Sequence, residues 1–146
     1  MKLKALFAAL AVAAVPAVSQ ARDTALFLPF QKVVDEMTQA GKLDGSVKFY
    51  LAGVAPKGKV SVVSANAVTN KKTNAFNKTD EGACEWALQS ALLTLQDAAR
   101  KVNANAVVNI ASYYKKNEHK DAKTYECHAG AVIAGVAIKG DLAKVN

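Results

Sequence analysis

Four side chains in this sequence have the chemistry of metal ligands or catalytic groups: Cys84, Cys127, His119 and His128. A structural zinc site usually contains a closely spaced pair of ligands, such as Cys-x-x-Cys, and the four residues form no such pair. Cys127 and His128 are neighbours in a predicted strand, so their side chains would point to opposite faces of the sheet. The spacing argues against a metal site, and we expect no cofactor.

The same residues do not form a catalytic motif. Hydrolysis or group transfer needs a nucleophile, a base and a residue that orients the base. His119 and His128 are the two imidazole side chains, and neither lies in a motif of this kind. We interpret His119 as a solvated turn residue and His128 as a packing or hydrogen-bonding residue beside the cysteines. The sequence therefore predicts a protein that is not an enzyme.

Residues 1–21 have the three parts of a secretory signal peptide. Lys2 and Lys4 come first, an apolar run covers residues 5–18, and the sequence SQA at 19–21 has small residues at the two positions that signal peptidase reads. We predict cleavage after Ala21, which leaves residues 22–146 as a single domain. We also predict a periplasmic or secreted location, without a lipid anchor, because the residues at the cleavage site include no cysteine.

Export gives the two cysteines a simple explanation. In an oxidising compartment, two thiols with no third free one most simply form a disulfide. The alternative is a redox-active pair, but such pairs usually have the spacing Cys-x-x-Cys, whereas Cys84 and Cys127 are far apart in the sequence. We therefore interpret the pair as structural.

Charge and hydropathy narrow the classes of partner. The whole chain carries a formal net charge of +7, and removal of Lys2 and Lys4 with the leader lowers it to +5. A positive field attracts anionic polymers and membrane surfaces. After the leader the longest apolar run covers only residues 129–138, whereas a membrane-spanning helix needs about 18 or more apolar residues. We expect no membrane span, and export makes nucleic acid an unsuitable partner.

The first half of the domain predicts a short helix and two strands. Pro29 can open a helix in which apolar residues recur from Phe30 to Met37, and Gly41 can end it. Residues 47–51 alternate between apolar and polar, which predicts a half-buried strand. Residues 60–68 form a second candidate strand, and the two could pair as a hairpin.

A long helix over residues 81–102 is the clearest element of the sequence. Residues 69–78 (TNKKTNAFNK) are polar and predict a loop, which leads to Asp80 as the N-cap. Asn103 is suited to the left-handed conformation that ends helices. An apolar stripe follows one face of the helix; it comprises Cys84, Leu88, Ala91, Leu92, Leu95, Ala98, Ala99 and Val102.

The remaining residues predict a β-hairpin. Residues 106–114 form one strand, residues 115–121 a polar tip, and residues 124–139 the returning strand. Residues 129–138 are apolar on both faces, as in a central strand. One helix can cover only one face of a sheet, so the other face is left for the first helix or for a second copy of the chain.

Three short segments carry a family resemblance: Cys84 at the start of a helix, ANAVV at 104–108 after it, and YEC at 125–127 before a strand of small residues. Over residues 82–140 the chain resembles the YbjQ and RcsF-like superfamily. In the RcsF-like envelope-stress sensors a disulfide joins the start of this helix to the returning strand, so the resemblance implies a bond between Cys84 and Cys127. Their second disulfide and lipid anchor have no matching cysteines here.

The chain is also similar to small secreted bacterial proteins of unknown function that sometimes carry an excinuclease ATPase label. A phosphate-binding P-loop needs Lys and then Ser or Thr directly after its second glycine. Gly130 and Gly135 have the required spacing, but Val136 and Ala137 follow them. The sequence therefore contains no P-loop at these glycines.

Together these observations predict an α+β domain. We expect a sheet of about four strands, packed by the helix of residues 81–102 and linked to it by one disulfide in the last strand. We expect a non-catalytic envelope-associated interaction or stress-related factor whose partner is an envelope protein or an anionic envelope polymer; the alternative is a small-ligand or metal-binding module. A homo-oligomer also fits. The candidate interaction surface lies at the hairpin tip, where aromatic rings stand beside positive charge: Tyr113, Tyr114, Lys115, Lys116, Lys120 and Lys123.

Overall fold

A computed structural model describes residues 22–146, and the predicted signal peptide lies outside them. The α+β class is confirmed, but the predicted four strands are too few, since seven strands join in one mixed sheet. The elements are β1 (Thr24–Pro29), α1 (Phe30–Gln39), β2 (Lys48–Leu51), β3 (Val60–Asn74), α2 (Asp80–Lys101), β4 (Ala106–Tyr114), β5 (Asn117–His119), β6 (Thr124–Ala129) and β7 (Ile133–Val145).

Strand β7 is the centre of the sheet. It pairs antiparallel with β3 along one side, and with β4 and the end of β6 along the other. Outside these strands, β1 pairs antiparallel with β6, β5 pairs antiparallel with β4, and β2 pairs parallel with β4. The predicted central strand over residues 129–138 is confirmed from Ile133 onward, where β7 begins, and β1, β2, β3 and β5 are left as edge strands.

The predicted hairpin between residues 47–51 and 60–68 is wrong. β2 pairs with β4 and β3 pairs with β7, so the two strands do not pair with each other. The predicted loop over residues 69–78 is also partly wrong, because β3 continues to Asn74. Thr69 lies buried opposite Ile138 while Asn70 and Lys72 are exposed, so pairing with β7 makes a strand of residues whose polarity suggests a loop.

The short N-terminal helix is confirmed as α1. Pro29 lies directly before it, where the fixed φ of proline suits a helix start. Phe30, Val33 and Met37 are buried, and they recur at the helical spacing seen in the sequence. Gly41 follows the helix with a φ of +74°, a conformation that favours glycine.

The long helix is confirmed as α2, with a different N-cap. Thr79, rather than Asp80, is the cap, and its hydroxyl oxygen accepts a hydrogen bond from the Gly82 amide at 3.0 Å. Asp80 is the first helical residue and pairs with Arg22 instead. Asn103 has a φ of +57°, as expected for the residue that ends this helix. Helix α2 packs on β3 and β7, and its buried stripe contributes to the main core.

The predicted single strand over residues 124–139 is two strands, β6 and β7, joined by a turn. The chain reverses at Gly130, where a Cβ would lie only 2.8 Å from the carbonyl oxygen of Arg22. The apolar pattern of residues 124–139 predicts one continuous strand, because such a pattern does not show where the backbone must turn. The disulfide consequently lies in β6 and not in the last strand.

No helix in the described range, residues 22–146, is long and apolar enough to cross a membrane.

Candidate functional site

The structure confirms the predicted disulfide. Cys84 in the first turns of α2 is bonded to Cys127 in β6, and their Cα atoms are 5.8 Å apart. Both residues are completely buried. The bond fixes the start of the long helix to the strand that also pairs with β1. It occupies both sulfur atoms, which leaves neither of them free to bind a metal ion.

The structure divides the predicted interaction surface. Tyr113 and Tyr114 end β4, and Lys115 and Lys116 form the turn to β5 with φ values of +50° and +62°. Tyr113 is in contact with a lysine outside this surface, because the ammonium of Lys139 lies 4.9 Å from the centre of the Tyr113 ring.

The other two lysines of that surface, Lys120 and Lys123, have contacts of their own. Lys120 forms an ion pair with Glu118 at 3.6 Å. Lys123 lies beside α1, where its carbonyl oxygen accepts a hydrogen bond from the Phe30 amide, and it borders a different surface. The side chain of Asp121 stabilises this turn by accepting the amides of Lys123 and Thr124, which lowers the pKa of that carboxyl.

His128 forms hydrogen bonds, as predicted, and is the centre of a polar cluster whose other members the sequence did not indicate. Its Nδ1 lies 2.8 Å from a carboxylate oxygen of Asp23, and its Nε2 lies 2.6 Å from a carboxylate oxygen of Glu126. Tyr114 stacks on the imidazole with ring centres 3.4 Å apart and an angle of 10° between the planes. These contacts place the imidazole between two carboxylates and connect the start of the domain to β6.

This cluster does not have the arrangement of a hydrolytic site. Both nitrogens of His128 already face carboxylates, so neither faces a nucleophilic hydroxyl or thiol. The hydroxyl of Tyr125 is buried; burial, followed by the nearby Glu85 and Glu81 charges, raises its pKa far above the ordinary value. In the described part of the chain, no group of three or more His, Cys, Asp or Glu side chains is placed to hold a metal ion.

A concave surface of the described residues forms a groove of about 610 Å³ between α1 and β2. We call it the α1–β2 groove. Its floor contains the buried apolar side chains of Phe30, Phe49 and Leu51, and Val34 forms part of the α1 wall. Asp35, Thr38 and Gln39 on α1, Lys48 on β2, and Lys123 at one end supply polar groups along its border. The groove is therefore apolar inside and polar at its rim.

Of the residues that line this groove, only Lys123 was indicated by the sequence as a functional residue. Its lining comes from three separate segments, residues 29–39, 43–54 and 122–123, and none of them has a motif. The alternation of apolar and polar residues at 47–51 predicted the strand that borders the groove, but it did not predict the groove itself. Whether that strand lies at an edge of the sheet depends on which strands pair.

No protein-family model, curated protein or solved structure matches this chain.

Proposed function

We propose that this chain is a non-catalytic periplasmic or secreted protein that binds an extended peptide segment of an envelope protein in the α1–β2 groove. The exported location is supported by the signal-peptide pattern of residues 1–21 and by a buried disulfide, which is compatible with an oxidising compartment. Membership of the RcsF-like superfamily and a stress-related role remain part of this proposal. They are supported by the disulfide that joins the start of the helix to a strand.

One observation carries the proposal: β2 is an edge strand, and its unpaired side opens into the groove. On its paired side, the Lys48 amide donates to Asn105 and the Ala52 amide donates to Ile110. Backbone groups alternate in direction along a strand, so the amides of Phe49 and Leu51 point away from β4. No strand of the described residues pairs with that side of β2. These amides and the Phe49 carbonyl are available to an added strand.

The groove supplies the second requirement of strand addition, which is a surface for alternate side chains of the added segment. Backbone hydrogen bonds give affinity in this mode, and side-chain pockets give specificity. The apolar floor formed by Phe30, Phe49 and Leu51 fits apolar side chains at every second position of the peptide. Helix α1 forms the opposite wall, so a peptide would lie between a strand and a helix.

The longer edge strand, β3, is less suited to this role. β3 has irregular pairing with β7 at two places, between Val62 and Ser64 and between Ser64 and Ala67. It also carries Lys71 and Lys72. Bulges and lysines are features by which natural edge strands avoid pairing with other chains. β2 carries a single lysine, Lys48, and the register shift in its pairing inserts the extra residue in β4 rather than in β2.

A small apolar ligand is the second candidate, because the groove volume lies within the usual range of about 300 to 1,000 Å³ for small-molecule sites. This alternative places the ligand at α1 and β2. The sequence suggested His128 and the strand of small residues instead, but Ala134, Val136 and Ile138 of that strand are buried in the core.

Amide hydrogen exchange distinguishes the two candidates. The purified protein is screened against a displayed library of random nine-residue peptides, and exchange is measured with and without a selected peptide. We expect new protection at the Phe49 and Leu51 amides, whereas the Lys48 and Ala52 amides, already bonded within the sheet, change little. Binding without protection at Phe49 and Leu51 would favour the small-ligand mode and contradict strand addition, as would the absence of any binding peptide.

A matched pair of variants on α1 tests the location. Thr38 borders the groove and Glu36 lies outside it, and both side chains are exposed. We expect Thr38→Arg to reduce peptide affinity at least tenfold because a long charged side chain enters the groove. Glu36→Arg should leave the affinity within about twofold. Equal losses in the two variants would show that the peptide binds elsewhere.

A further inference from the structure

Three large apolar side chains project into solvent at one end of the molecule. Phe76, in the connection from β3 to α2, is 63% exposed, and Val132 and Ile133, at the turn from β6 to β7, are 59% and 53% exposed. Together with Lys72 they line a shallow surface depression. We call these residues the apolar tip. None of them lines the α1–β2 groove, so the apolar tip is a separate surface.

Backbone hydrogen bonds hold the two connections together in this exposed arrangement. The Ala75 amide donates to the carbonyl oxygen of Val132 at 2.7 Å, and Asn74 pairs with Ile133 at the last register position of β3 and β7. The Asn74 side chain also accepts the Phe76 amide at 2.8 Å. These hydrogen bonds fix the backbone of both connections, so the fold keeps the apolar side chains in solvent.

The charged side chains within the two segments that form the apolar tip are all lysines. The segments that form it, KTNAFNK at 72–78 and GAVI at 130–133, contain two lysines and no acidic residue. Lys72 and Lys78 are both exposed. The carboxylate that follows, Asp80, is paired with Arg22 at 2.6 Å, while Glu81 is exposed on the first turn of α2. Arg22 also donates to the Gly130 carbonyl, which places this ion pair beside the turn without adding net charge.

We propose that the apolar tip binds the surface of an anionic lipid bilayer. Phenylalanine and aliphatic side chains enter the boundary between headgroups and acyl chains, while flanking lysines contact anionic headgroups. The apolar tip has both parts in one rigid unit. A bilayer fits it better than a second copy of this chain, because two copies that met tip to tip would bring Lys72 and Lys78 of each molecule close to those of the other.

Vesicle sedimentation tests the proposal with the full purified protein. The vesicles contain either 30% phosphatidylglycerol in phosphatidylcholine or phosphatidylcholine alone. We expect sedimentation with the anionic vesicles, little with the neutral ones, and a loss of binding when the salt concentration is raised from 0.1 M to about 0.5 M. Phe76→Ser should lower the partition coefficient about tenfold, and Lys72→Gln about fivefold.

Matched controls separate the apolar tip from general surface hydrophobicity. Val62 on β3 is 52% exposed, nearly the same as Ile133, but lies outside the apolar tip. Ile133→Ser should weaken vesicle binding severalfold, whereas Val62→Ser should not, and circular dichroism should show both variants folded. Three results would each overturn the proposal: no preference for anionic vesicles, equal losses in these two variants, or concentration-dependent self-association that Phe76→Ser removes in the absence of vesicles.

Discussion

Removal of the disulfide should cost much of the stability of the domain. The change is the double variant Cys84→Ala/Cys127→Ala, which removes both thiols and leaves no free cysteine. Cys84 and Cys127 are 43 residues apart in the sequence. For a loop of this length the chain-entropy model gives a loss of about 4 kcal/mol. Typical domains have a total stability of about 5 to 15 kcal/mol.

The location of the bond adds to this expectation. Both side chains are completely buried, so each alanine also leaves a small void in the core. For a domain of this size, a loss of about 4 kcal/mol corresponds to a fall in Tm of roughly 15 °C. Urea denaturation followed by circular dichroism measures the loss, with the slope compared between variants to detect changes in the unfolded state.

The wild-type protein provides the control. Reduction in denaturant followed by refolding without oxidant gives a chain that differs from the native protein only by the missing bond, and it should lose a similar amount of stability. In the native state the bond should resist reductant until the protein opens, because the sulfurs are buried. A loss below about 1 kcal/mol in the double variant would refute the argument from loop closure. So would two free thiols in the native protein.

Two further predictions concern a glycine and a carboxylate. Gly140→Ala should destabilise the protein by about 1 to 3 kcal/mol, because the new Cβ would lie 2.7 Å from a Val107 methyl group, whereas Gly135→Ala, whose nearest neighbour is at 3.5 Å, should be nearly neutral in the same denaturation assay. The Arg22 guanidinium, by its hydrogen bond and then its charge, holds the pKa of Asp80 below its ordinary value of 3.8. The resulting stabilisation is present above that value and is lost as pH falls through the lower folded-state pKa. The difference in unfolding free energy between wild type and Asp80→Asn should therefore shrink below about pH 4. A difference that does not depend on pH would contradict this assignment.

The helices were predictable because their apolar residues repeat locally. The stripe on α2 extends over several turns, and Asn103 marked its end, so existence and length were both correct to within a residue. The N-cap was missed by one residue because Thr79 and Asp80 are both good caps. Which of the two side chains accepts the hydrogen bond from the Gly82 amide depends on the position of the backbone after the preceding strand.

The sheet was less predictable because most of its pairs join distant segments. Residues 69–74 are polar, and they form a strand only because β7 provides partners. β1 was missed because it is short and its one partner, β6, lies about a hundred residues later, as in the pair Thr24 and Ala129. The disulfide was predictable from the sequence because the chain contains two cysteines, so only one pairing is possible within it. The α1–β2 groove was not, because it exists only after three segments have been brought together.

The pairing of β3 with β7 also determines when this chain can fold. Val60 pairs with Val145, and β7 is the strand on which β3, β4 and β6 all assemble. Strand pairs that close long loops form slowly, since their entropy cost comes before their contacts. The central strand is also the last element of the described chain, so the sheet cannot assemble while that segment is still missing. An N-terminal fragment lacking β7 should therefore stay unfolded, and folding should begin only once the last strand of the described chain is present.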